Sequence, residues 1–184
     1  MSMQRELVEQ AIRGDHEAFS ELVRLSSRKL YAVATLILRD KTRAEDATQE
    51  ALVAAWRDLS GLRDPDRFEA WLHRVLVREC YREAKRERRR IEVEGQVRPV
   101  TETSDPSLQA ADREELERGF ARLPVDQRTV LVLHHYVGST FPEIAETLGI
   151  PVGTAKSRVH RAAEAMRAAL TADARTVTSG RTSA

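Results

Sequence analysis

The chain has 184 residues, with 30 Lys and Arg against 29 Asp and Glu and a formal net charge of +1. Charged residues are 32 % and aromatics 5 %, which suits helical bundles and argues against sandwiches and barrels. Cys80 is the single cysteine, so an internal disulfide is excluded and a Cys/His zinc site is implausible. No charged-then-apolar leader opens the chain, and a reducing cytosol is the expected compartment. The longest apolar stretch, Leu30 to Leu38, is interrupted by Thr35 and is too short to span a bilayer.

Taken in order, residues 4–13 are predicted as a short amphipathic helix with Leu7, Val8, Ala11 and Ile12 on one side. Gly14 stops it and Asp15 caps the next helix, expected over 16–39. Thr42 and Glu45 have capping-box spacing, so a third helix is expected over 43–59, with Ala47, Ala51, Leu52, Ala55, Trp56 and Leu59 inward. Gly61, Asp64 and Pro65 break the chain before a fourth helix over 66–90. Residues 91–107 hold Gly95, Pro99 and Pro106 and no periodicity, and read as a flexible acidic linker between two domains. Helices are expected again over 108–122, 125–137, 141–148 and 152–171, followed by a small, polar, disordered tail. The predicted architecture is therefore all-α, with two small helical domains.

The small net charge conceals segregation. It is −1 over residues 1–62, +4 over 63–90, −5 over 91–126 and +3 over 127–184. Two positive blocks separated by a negative one point to nucleic acid.

The second positive block contains TFPEIAETLGIPVGTAKSRVHRA at 140–162. Thr140 and Glu143 form a capping box, and Pro142 falls in the first turn, where a missing N–H costs little. Gly149 suits a sharp turn because it takes positive φ without strain. Ile144, Ala145, Leu148 and Ile150 face inward, as do Ala155, Val159, Ala162, Ala163, Met166 and Leu170 beyond the turn. Thr154, Ser157, Arg158 and Arg161 share the outward face, flanked by Lys156 and His160. Arg pairs with guanine O6 and N7, and Ser and Lys serve bases or phosphate. This pattern is a helix-turn-helix for the DNA major groove.

In the first positive block, Phe68, Trp71, Leu72, Val75 and Leu76 form an apolar stripe. Arg67, Arg74, Arg78, Arg82, Lys85 and Arg89 occupy the other side, and residues 85–90 read KRERRR. Arginines at 74, 78 and 82 stand one turn apart, a row able to track a phosphate backbone. Trp71 and Tyr81 offer stacking surface for unpaired bases, although Trp71 also fits the core. The polar loop SGLRDPDR at 60–67 either pockets an extruded base or only connects two helices.

Two stretches in this order resemble the extracytoplasmic-function group of bacterial RNA polymerase sigma factors. One is AEDATQEALVAAWRDL (44–59) with FEAWLHRV (68–75) and the basic run to Arg90; the other is residues 123–162. The resemblance covers nearly the whole chain. It implies that residues 1–90 bind the β′ clamp of core polymerase and recognise and melt the −10 element. Residues 108–171 would then read the −35 element as duplex and meet the β flap.

By the resemblance, Glu45, Asp46, Gln49, Glu50, Leu52 and Trp56 dock on the polymerase. Thr154, Lys156, Ser157, Arg158, His160 and Arg161 serve the −35 element. Arg63, Arg67, Trp71, Arg74, Arg78, Arg82, Lys85 and Arg86 serve the −10 element. An anti-sigma protein is implied as a further partner, and no metal, cofactor or catalytic group is.

Two other readings compete with this one. A stand-alone helix-turn-helix regulator would need a dimerisation surface or ligand pocket in residues 1–90. A metal-dependent nuclease or recombinase would need converging acids; Glu45 and Asp46 are adjacent and diverge on a helix, and the one pair that converges, Asp46 with Glu50, is a thin metal site. Cys80 reads as a small packing residue.

Overall fold

The computed structural model describes residues 3–94 and 117–181, and every regular element among them is helical. Most of the expected linker, the first half of the helix expected over 108–122, and residues 182–184 lie outside the described residues. The described helices form two compact units.

The first unit contains α1 (Met3–Ile12), α2 (His16–Leu38), α3 (Lys41–Asp58) and α4 (Phe68–Glu94). Asp15 caps α2 as expected, accepting from the backbone N–H groups of Glu17 at 2.9 Å and Ala18 at 3.1 Å. The start of α3 differs from expectation. Arg39 takes a left-handed φ of 55° and ends α2, with its N–H on the Thr35 carbonyl. The chain therefore turns at Arg39, and Asp40 is the cap, accepting from the Arg43 N–H at 3.0 Å. Thr42 and Glu45 lie inside the helix that they were expected to open.

Helix α4 also differs from the predicted 66–90. Pro65–Arg67 make a separate 3-10 turn, in which the Asp64 carboxylate accepts from the Asp66 N–H at 3.0 Å. The helix then runs on to Glu94, because no Gly or Pro interrupts it before Gly95. The first four residues of the expected linker, 91–94, are thus helical.

Helix α3 packs against both α2 and α4 through a face of buried alanines: Ala44, Ala47, Ala51, Ala54 and Ala55. Small side chains let the neighbouring helices approach closely. Leu22, Leu30, Val33 and Ile37 of α2 complete this core with Leu59, Phe68, Leu72, Leu76 and Cys80. Each buried leucine contributes about 1.5–3 kcal/mol.

The second unit contains α5 (117–122), α6 (Val125–Leu131), α7 (Phe141–Leu148) and α8 (Val152–Arg181). Arg128 joins α5 to α6 by donating to the Leu123 carbonyl at 2.9 Å and the Ala121 carbonyl at 3.4 Å. Those are carbonyls that a helix end leaves unpaired. The predicted helix 125–137 changes winding midway, and Val132–Val137 are π-helical. The N–H groups of Gly138 and Ser139 both reach the Leu133 carbonyl. Helix α8 extends to Arg181, past the Ala172 at which a disordered tail was expected. Residues 172–175 are Ala, Asp, Ala and Arg, of which only Asp is a poor helix former.

Gly119 lies where α5 meets α8. A Cβ there would lie 3.1 Å from Leu170 Cδ2 and 3.5 Å from Met166 Cε, so a side chain would press on the ends of those two side chains.

Candidate nucleic-acid and polymerase interfaces

The helix-turn-helix is built by local chemistry. Thr140 N–H donates to Glu143 Oε2 at 2.7 Å, and Glu143 N–H donates to Thr140 Oγ1 at 3.4 Å. This is the reciprocal box that the sequence predicts. At the other end of α7, Gly149 takes φ 64° and the Ile150 N–H bonds the Ala145 carbonyl at 3.0 Å. That six-to-one bond, with glycine in the left-handed region, is a Schellman ending. It turns the chain directly into α8.

Ile144, Ala145, Ala155, Val159 and Ala162 are buried and fix α8 against the unit's core. Lys156, Ser157, His160 and Arg161 are exposed, while Thr154 and Arg158 are half-buried. All six predicted −35 residues therefore lie on or beside the face that α8 turns away from its core. Ser157 Oγ donates to the Thr154 carbonyl at 3.0 Å, and Arg161 Nε donates to the Ser157 carbonyl at 3.3 Å. His160 Nδ1 lies 3.5 Å from Glu164, one turn on.

Helix α4 holds its cations differently. Arg82 Nη1 donates to both oxygens of Glu79, each at 2.9 Å, and Arg78 Nε donates to the same carboxylate at 3.2 Å. Arg86 pairs with Glu83 at 3.2 Å and Arg90 with Glu87 at 3.0 Å. Each of Glu79, Glu83 and Glu87 thus holds the arginine three residues later. Asp58, at the end of α3, adds a contact to Arg78 at 3.7 Å. Residues 78–90 still carry seven cations against three acids, so this face remains positive. Arg63, Lys85, Arg86 and Arg67 are exposed, and Arg74 and Trp71 are half-buried. The ring of Trp71 sits 6.1 Å from buried Phe68. The indole therefore serves the core on one side and keeps some surface on the other.

On α3, Glu45, Asp46, Gln49 and Glu50 are all exposed, and Leu52 and Trp56 are half-buried. Trp56 is held by two residues of α2. The His16 ring lies tilted against it with centroids 4.5 Å apart, and that of Phe19 lies at 4.8 Å. Val53, 63 % exposed, stands three and four residues after Glu50 and Gln49 on the same helix. Sequence reasoning missed Val53, His16 and Phe19. A helical wheel would have placed Val53 beside the acids, whereas the aromatic contacts join residues about forty apart.

Two buried titratable groups lie behind these surfaces. Burial, reinforced by Glu79, pushes the Cys80 thiol up to about 12, so it stays protonated inside the first unit. Burial also lowers the His73 pKa, Lys29 lowers it further, and Glu69 opposes them. Its Nε2 is buried without a hydrogen-bond partner. Burial raises the Glu69 carboxyl, but the Gln4 hydrogen bond and Lys29 outweigh it and hold the group below its usual range.

The fold and these surfaces define a two-part sigma-70-type transcription factor. The model for sigma-70 region 2 matches residues 22–90, and that for region 4 matches residues 113–166. The ECF RNA polymerase sigma factor SigM of Mycobacterium tuberculosis is 32 % identical over 157 residues, covering 85 % of this chain and 79 % of its own. The RNA polymerase sigma-H factor of Pseudomonas aeruginosa is 31 % identical over 179 residues, covering 90 % and 93 %. Among solved structures, the sigma factor RpoE from Bartonella quintana, in complex with the anti-sigma factor NepR, matches with a TM-score of 0.71. Its identity is 26 %, with 84 % of this chain and 98 % of that chain covered. CnrH, in complex with the cytosolic domain of CnrY, gives a TM-score of 0.67 at 30 % identity, covering 94 % and 99 %.

The chain belongs to the extracytoplasmic-function sigma factors. It is an alternative sigma factor for bacterial RNA polymerase. Among the described residues no helix is long and apolar enough to cross a membrane.

Proposed function

We propose a division of labour among the three surfaces. Thr154, Lys156, Ser157, Arg158, His160 and Arg161 read the −35 element as duplex in the major groove. Arg63, Arg67, Trp71, Arg74, Arg78, Arg82, Lys85 and Arg86 hold and open the −10 element. Glu45, Asp46, Gln49, Glu50, Leu52 and Trp56, with Val53 added, dock on the clamp of core polymerase. The factor acts in the cytoplasm and carries out no catalytic step of its own. An anti-sigma protein is its regulator, as NepR is the partner of RpoE in the solved complex.

The observation that carries this reading is the exposed cationic face of α8 just beyond the Gly149 turn. Cations there neutralise phosphates and meet guanine edges, and Ser157 is short enough to bond a base. Promoter opening needs no reacting group. Unstacking a base costs a few kcal/mol, and a stacking surface with a cationic track offsets that loss.

The apolar positions Leu52, Val53 and Trp56 supply the anchors that an interface centre needs, and the acids around them supply charge complementarity to a basic partner. Promoter-dependent transcription with sigma-free core polymerase tests the whole assignment. Arg74→Ala with Arg78→Ala is expected to leave −35 binding intact while slowing strand opening, read by permanganate reactivity of −10 thymines. Unchanged opening would remove the −10 assignment.

A further inference from the structure

Helices α6 and α8 border a cleft of about 280 Å³ lined by Asp126, Gln127, Val130, Arg158 and Arg161. Gln127 contributes a buried side-chain oxygen, Oε1, that accepts no hydrogen bond. A buried acceptor without a donor is a costly feature to retain. The cleft holds two guanidinium groups, each with five N–H donors. Arg161 uses its Nε on the Ser157 carbonyl of its own helix. Arg158 makes no ion pair among the described residues and is half-buried.

Position along α8 separates the two arginines. Successive residues turn by 100°, so Arg158 lies between the buried arc of Ala155, Val159 and Ala162 and the exposed arc of Ser157 and Arg161. A residue on that border faces the groove wall rather than its floor. Its natural contact is a backbone phosphate, not a base edge.

We propose that Gln127 is a positioning residue for the DNA-reading helix. When duplex is bound, its Oε1 accepts a hydrogen bond from the Arg158 guanidinium, and the remaining N–H donors of Arg158 are fixed on one DNA phosphate. The inference rests on the reading of Arg158 as a −35 contact. It adds a residue on α6 that neither charge nor helix-turn-helix spacing marks. Arg158 loses rotamer freedom when it is fixed on DNA, and the bond that satisfies the unmet Gln127 acceptor offsets part of that loss.

The test uses holoenzyme assembled from the full chain and core polymerase, titrated with a duplex promoter fragment at several salt concentrations. Arg158→Ala is expected to weaken binding about tenfold and to reduce the slope of log K against log salt by about 0.9, the value for one phosphate. Gln127→Leu is expected to weaken binding about three- to fivefold and to lower the slope in the same direction. On the Arg158→Ala background it should cost nothing more. Gln127→Glu keeps an acceptor and should restore binding. The melting temperature of Gln127→Leu should equal or exceed that of the unaltered chain, since the unmet acceptor is gone. A purely structural glutamine would lower the melting temperature and leave the salt slope unchanged. Wild-type affinity for Gln127→Leu alongside an impaired Arg158→Ala would overturn the inference and leave the −35 reading standing. Wild-type binding by both would remove Arg158 from that reading as well.

Discussion

Helices α4 and α8 both present cations, but they hold them in opposite ways. On α4, Glu79, Glu83 and Glu87 clamp Arg82, Arg86 and Arg90 three residues on, so the guanidinium groups are fixed in a row before any ligand arrives. On α8, Lys156 and Arg158 have no ion pair among the described residues, and Arg161 bonds only its own backbone. A fixed row suits a flexible single strand, because the protein supplies the order that the strand lacks. Unclamped cations suit a duplex, whose phosphates are already ordered and to which side chains adjust. The contrast extends inward: α4 buries Phe68, Leu72, Val75, Leu76 and Val77 on its other face, whereas α8 buries Ala155, Val159 and Ala162.

The largest expected effect breaks the contrast at the core. Leu76→Ala should destabilise the first unit by about 2–5 kcal/mol. Both tryptophans, Trp56 and Trp71, lie in that unit, so their fluorescence reports its unfolding. A fluorescence transition at the wild-type denaturant concentration would contradict the packing described for α4.

Next in size, Arg161→Ala should weaken promoter binding by about 1–3 kcal/mol without moving that fluorescence transition. A shifted transition would mean that the α8 cations are structural.

Thr140→Ala should lower the stability of the second unit by about 1 kcal/mol through loss of the capping box. Amide exchange in α7 would report it, and unaltered protection there would show that the box contributes nothing.

The smallest effect concerns pH. Burial, and after it Lys29, lowers the His73 pKa in the fold, while the unfolded chain titrates near 6.5. Stability of the first unit is therefore complete above about pH 6.5 and falls as pH drops toward the lowered folded value. His73→Leu should flatten the pH dependence of the fluorescence transition between pH 7 and pH 5. An unchanged slope would assign it to other groups.

The parts of the molecule that local chemistry dictates were legible in the sequence. Gly149, Thr140 with Glu143, and Asp15 each act within a few residues, and each sits as its spacing predicts. The start of α3 differs because Thr42 and Glu45 carry the full capping-box spacing, whereas the true cap, Asp40, has Arg43 at the third position. What separates them is the left-handed Arg39, an uncommon conformation for an arginine that no local signal announces. The π-helical turn at Val132–Val137 escaped for a similar reason, since an apolar run does not encode its hydrogen-bond spacing.

The exposed faces of α3 and α8 followed from helical periodicity. The supports behind them did not: His16 and Phe19 against Trp56, and Gln127 beside Arg158, pair residues about thirty or more apart. Such pairings are set by packing, not by sequence neighbours.

The most direct test of the separation of surfaces measures core-polymerase affinity and promoter affinity side by side for two variants. Asp46→Ala with Gln49→Ala should weaken association with core by about tenfold or more. Once saturated with core, that variant should bind the promoter as the unaltered chain does. Arg161→Ala should show the reverse, with normal core affinity and weak promoter binding. If either variant lost both affinities in equal measure while remaining folded, docking and −35 reading would not reside on separate surfaces.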